Sequence, residues 1–191
     1  EDRTKVLLYR PVLYRSAMPR ASTDSFFIRA SLNTENDGTF YQTEIDLGAF
    51  VDALGQSVLR IHNIAVAFTD SGGTGLQLTG GTDSGAAQFQ LTTQSQADTI
   101  LPSDRSVVAS GIVYAANGWD TAGNEFPMVS HDMDQLPQLW TNGYLVAVES
   151  LYLGGESNGS FTEDVYVNIT MECTSEKMTK EAGLALALSQ Q

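Results

Sequence analysis

Residues 161–173 read FTEDVYVNITMEC. Phe161, Val165, Val167, Ile169, Met171 and Cys173 fall on one parity, and Thr162, Asp164, Tyr166, Asn168, Thr170 and Glu172 on the other. A period of two is the signature of a half-buried strand, because successive side chains point to opposite faces of a sheet. The spacing therefore predicts a strand here. It also places the single cysteine, Cys173, on the core face as a small hydrophobe rather than a reactive thiol.

The same period extends outward along the chain. Ala87, Phe89 and Leu91 alternate with Gln88, Gln90 and Thr92. Further strands are expected at Val6–Arg15, Ser25–Leu32, Thr39–Leu47, Val58–Thr69, Ser106–Ala115 and Tyr144–Leu153. Tyr144–Leu153 is apolar on both faces apart from Glu149, which predicts one strand at the centre of a sheet. In Val58–Thr69 the apolar phase switches between Ile61 and Ile64, so a bulge is expected at His62–Asn63. Helix is minor. Asp46 is a candidate cap for a short helix reaching Leu54, a second turn is expected within Met133–Trp140, and Ser175–Gln191 is a third candidate. Eight or nine short strands joined by Gly, Asn and Asp turns define an all-β chain, a two-sheet β-sandwich. Several long strands and long connections, at 70–86 and 116–143, favour the jelly-roll type with extended termini. The expected organisation is an arm or edge strand at 1–20, a sandwich at 21–175 and a tail at 176–191.

At 191 residues the chain suits one domain, and a chain of this size buries about 70% of its unfolded surface without staples. One cysteine excludes an intrachain disulfide. No run of about 18 apolar residues is present to span a membrane as a helix, and no signal peptide is visible. Two histidines in all leave little for acid–base or metal chemistry. TDSGG at 69–73 resembles a serine-protease nucleophile segment, but such a site needs a histidine base and an orienting aspartate. His62 precedes it within one strand, so a Gly-rich turn is the better reading. SHDMD at 130–134 puts His131, Asp132 and Asp134 near Glu125, read as a solvated polar loop. NTENDGTFYQTE at 33–44 has the length of a calcium-binding loop, with Asn33, Glu35, Asp37 and Glu44 as its ligands. Strand-like flanks and the turn pair Asp37-Gly38 favour a hairpin there and no bound metal. Asn158-Gly159-Ser160 and Asn168-Ile169-Thr170 match the glycosylation acceptor pattern, which counts only on a secretory route. No catalytic residue and no cofactor is expected.

The charge is unevenly spread. Arg3, Lys5, Arg10, Arg15 and Arg20 against Glu1 and Asp2 leave residues 1–20 at +3, so the rest of the chain carries −16 of the total −13. Within this segment LLYRPVLYR, residues 7–15, writes Leu-Tyr-Arg twice around Pro11. Odd spacings on a strand alternate faces, so Arg10, Arg15 and Arg20 cannot all enter one core. Pro11 and Pro19 remove two ladder donors, which suits an edge strand or an extended arm. Arginine and tyrosine anchor interfaces. Arg3, Lys5, Tyr9, Arg10, Tyr14, Arg15 and Arg20 are therefore expected at a subunit interface, together with Leu184, Leu186 and Leu188 of the apolar tail.

An acidic, Gly/Thr-rich sandwich with arms at both ends and no catalytic motif resembles the single jelly-roll capsid proteins of icosahedral viruses. In size and acidity it is most similar to the small major capsid proteins of membrane-containing viruses of halophilic archaea and related bacteriophages. The resemblance implies a non-enzymatic, self-assembling shell protein located in the virion. Its partners would be other copies of itself and other shell proteins, with contact to a lipid layer an option and no sequence-specific nucleic-acid binding. One rival reading is a secreted carbohydrate-binding sandwich using Trp119, Trp140 and Tyr144. Another is a tail, pilus or surface-layer subunit, placed outside the cell or at its surface.

Overall fold

The computed structural model describes residues 23–52, 56–79, 84–119 and 125–191, and only the backbone at 118, 119, 125–128 and 134. The expected strand Val6–Arg15 lies outside these residues. Among the described residues, nine strands form two antiparallel sheets. One contains β1 (Phe26–Asn33), β9 (Tyr166–Lys177), β3 (Ser57–Thr69) and β7 (Tyr144–Val146), side by side in that order. The other contains β2 (Tyr41–Asp46), β8 (Ser150–Ser157), β4 (Ser84–Thr92), β5 (Val107–Trp119) and β6 (Glu125–Gln135). With β6 set aside as a hairpin extension of β5, the chain crosses between sheets at every connection except β4–β5, and the strand order is that of a jelly roll.

The opening stretch is a strand only from Tyr166 onward, and residues 161–165 lead into it, although the burial keeps the expected parity. Phe161, Val165, Val167, Ile169, Met171 and Cys173 are all buried. β9 sits between β1 and β3, with Ile28 opposite Met171 and Ile64 opposite Met171 on its other side. The second sheet supplies the facing layer through Phe89, Leu91, Val113, Leu151 and Leu153 in the same core. Phe68 of β3 meets Phe89 of β4 edge-on across the sandwich, ring centroids 6.1 Å apart. The register of β3 against β9 slips between Ile61 and Asn63, which is the bulge that the phase switch predicts.

Several expectations are corrected. Tyr144–Leu153 is not one strand: β7 belongs to the first sheet and β8 to the second. Its apolarity on both faces arises because Ala147 and Val148 are buried where the chain passes from one sheet to the other. Asp46 starts no helix. It accepts a hydrogen bond from the Gly48 amide, and the amides of Phe50 and Val51 both donate to the Leu47 carbonyl, a single closed turn. The turn docks through Leu47 and Val51, both buried in the core, and ends at Asp52, which bridges back to Ser57, so it stays one turn long. The turn within Met133–Trp140 shortens to the 3-10 segment Pro137–Leu139, and Met133 belongs to β6. Among the described residues, the long connection at 70–86 makes one bridge, Leu78 to Phe161. The connection expected at 116–143 holds the end of β5 and all of β6.

The tail forms α1 (Lys180–Ser189), capped by the Thr179 side chain on the Ala182 amide. Gly183 and Ala187 are buried, and Ala187 packs with Val58 and Ala147 in a second small core. Gln190 anchors the end: its side chain donates to the Leu145 carbonyl and accepts from the Ala147 amide. No helix among the described residues is long and apolar enough to cross a membrane.

Candidate functional site

The loop and turn candidates among the described residues have places that their neighbours explain. The loop 33–44 is no hairpin, because β1 and β2 lie in different sheets; it is a crossing between layers. Glu35 and Gly38 take positive φ values of 50° and 75°, which turn the chain. The Tyr41 hydroxyl donates to Glu35 at 2.8 Å and to Asp37 at 2.9 Å. Those two bonds hold the phenol above its ordinary range. Asn33 donates instead to Asp164, and Glu44 sits on β2 opposite Tyr152, where it accepts from Ser150. The four proposed calcium ligands thus engage three different partner sets. Among the described residues no group of three or more His, Cys, Asp or Glu side chains is arranged to hold a metal.

The protease-like segment resolves into a turn. Asp70 accepts from the amides of Gly72 and Thr74 and from the Thr74 hydroxyl, bonds that pull its carboxyl below the ordinary range. Ser71 donates to Glu163, whereas His62 pairs with Thr174 at 2.9 Å. SHDMD is not a loop. His131, Asp132 and Asp134 belong to β6, and the His131 ring lies 6.3 Å from that of Phe68. Cys173 is fully buried, and burial pushes its thiol up to about 12, helped by the nearby Glu172 charge. Asn168 of the second acceptor motif donates to Thr69 from within β9.

The interface candidates divide. Arg3, Lys5, Tyr9, Arg10, Tyr14, Arg15 and Arg20 lie outside the described residues. Leu186 packs against the second core, whereas Leu184 and Leu188 are 45% and 61% exposed. One turn apart, they share a face of α1. The proposed aromatic platform is mixed: Trp140 is 52% exposed, Tyr144 is half-buried with its phenol near Gln190, and the Trp119 side chain is not described.

Two features escaped the sequence. Arg60 and Glu176 form a bidentate ion pair between β3 and β9, and Arg60 also donates to the Asn142 carbonyl. Their side chains are only 13% and 5% exposed. No local spacing links residues 60 and 176. The second feature is the β4–β5 connection, residues 93–106, which folds back over the second sheet. The Gln90 side chain grips it by donating to the Ile100 carbonyl and accepting from the Ile100 amide at 2.9 Å.

No protein-family model matches this chain, and no curated protein matches it. Among solved structures it is similar to a chain of Desmodium yellow mottle tymovirus, at 8% sequence identity. The match covers 92% of this chain and 96% of that one, with a TM-score of 0.31. Likeness at this level bears on neither function nor partner.

Proposed function

We propose that this protein is a non-enzymatic structural subunit that builds a shell or similar lattice by self-association. The observation that carries the reading is on α1. The helix docks through Gly183, Leu186 and Ala187, yet keeps Leu184 and Leu188 exposed on another face. Burying one leucine contributes roughly 1.5–3 kcal/mol, so a repeated contact between copies has a clear source of stability there. The charge split of +3 against −16 supports the same reading, because the basic first segment of one copy complements the acidic body of the next. A virion shell is the form of lattice we favour, with other shell proteins and a lipid layer as further neighbours. On this reading the first segment makes no sequence-specific contact with nucleic acid, since +3 over twenty residues is weak beside the charge such contacts use.

The test is deletion of residues 1–15. The truncated chain is expected to stay folded, with a β-type circular dichroism spectrum, and to assemble poorly. Loss of the fold would make the segment a core strand, and unimpaired assembly would remove it from the interface.

A further inference from the structure

The outer face of the second sheet carries a groove of about 400 Å³ beneath the strap formed by residues 93–106. The register places Gln88, Gln90, Ser110, Ile112, Tyr114 and Asp132 on this one face, opposite the core face that holds Phe89, Leu91 and Val113. Ile100, Leu101 and Pro102 of the strap form the facing wall. That volume, with apolar walls and a few convergent polar groups, is of the kind that takes a small ligand.

Three details specify the chemistry. Ser110 is 2% exposed, and its hydroxyl finds no hydrogen-bond partner among the described residues. A buried hydroxyl left without a partner costs free energy, which a ligand hydroxyl would restore. Tyr114 lines the same groove with 49% of its surface exposed, offering an aromatic face. Asp132 is exposed at the rim, and the one ion pair among the described residues, Arg60–Glu176, lies elsewhere. No described basic residue lines the groove, so Asp132 would repel an anion, and one carboxylate is too few to hold a metal ion.

The walls are fixed in advance. Gln90 holds Ile100 through both backbone groups, and Gln88 donates to Thr99, which donates in turn to Glu156. The β5–β6 register also slips between Ser110 and Ile112. At that bulge, a Cβ added to Gly111 would lie 2.6 Å from the Met133 sulfur. A bulge that re-aims side chains beside a cavity is a common device at binding sites, and a preformed wall lowers the ordering cost of binding.

We propose that this groove binds a neutral pyranose unit of a glycan. The apolar face of the sugar lies on Tyr114 and the strap residues Ile100 and Leu101, and its hydroxyls engage Ser110, Gln88 and Asp132. This site is separate from the aromatics Trp119, Trp140 and Tyr144, and it does not depend on whether the chain assembles.

The test is ligand-observed NMR on the full chain with the methyl glycosides of glucose, galactose, mannose and N-acetylglucosamine. At least one is expected to bind with a dissociation constant of about 1 mM. Tyr114→Ala and Asp132→Asn are each expected to weaken it about tenfold without loss of fold. Ser110→Val supplies the readout that a merely structural role would not move. It should leave the melting temperature unchanged or higher, because it removes an unsatisfied hydroxyl, and still weaken the sugar. The proposal is overturned if no glycoside binds by roughly 50 mM, far above that constant. Binding unaffected by all three substitutions would also overturn it. So would an arginine methyl ester that binds at Asp132 while every neutral sugar fails, which would make the groove a socket for a basic side chain.

Discussion

At the scale of single residues, burial and capping decide what each side chain can do. Cys173 is fully buried with its thiol raised to about 12, so a thiol reagent should not label the native protein at neutral pH and should label it rapidly in denaturant. Fast native labelling would contradict the core placement. Glu176 offers a harder test. Removing one partner of a buried pair strands the other charge, so Glu176→Ala should lower stability by about 3 kcal/mol in denaturant titration. A change near zero would mean that Arg60 is solvated after all. Asp70 and Asp104 are both held below the ordinary carboxylate range, Asp70 mainly by the Thr74 hydroxyl and Asp104 mainly by the Ser106 amide. A carboxyl depressed in the folded state stabilises above its unfolded value of about 3.9, and that contribution fades as pH falls through the folded value. Replacing both with asparagine should therefore flatten the loss of melting temperature between about pH 5 and pH 2. An unchanged slope would show that other carboxylates set the acid limit.

At the scale of elements, legibility tracked periodicity. β9 and the bulge in β3 could be read directly, because a half-buried strand writes its two faces into alternating residues, and a bulge writes its extra residue as a change of phase. Tyr144–Leu153 misled because apolarity on both faces has two causes: a central strand, or a segment such as Ala147–Val148 that threads between two layers. The turn after Asp46 has the cap of a helix without the docked length, which no local signal reveals. The strap groove was unreadable because its walls come from β4, β5, β6 and a connection whose fold-back depends on Gln90. α1 joins two roles that substitution can separate. Ala187→Glu buries a charge against Val58 and Ala147, and should release the helix to protease. Leu184→Glu with Leu188→Glu lies on the exposed face; it should leave the melting temperature within about a degree and weaken association. If that pair unfolds the chain, the exposed leucines are structural and α1 is no interface.

At the scale of the whole molecule, the exposed leucines of α1 are joined by an asymmetry of charge: a first segment at +3 and an acidic remainder at −16. Individual exposed pairs contribute only about 0–1 kcal/mol, but a lattice repeats each one many times. The interaction should weaken with salt, since the screening length falls from about 30 Å at 0.01 M to about 3 Å at 1 M. The most direct measurement is sedimentation with electron microscopy of the full chain and its Arg10→Glu/Arg15→Glu variant, in low and high salt. The account predicts large regular assemblies for the unaltered chain. It predicts a folded variant that stays small, with the defect greatest at low salt. An unaltered chain that remains monomeric at high concentration, or a variant that assembles as well as its parent, would contradict it.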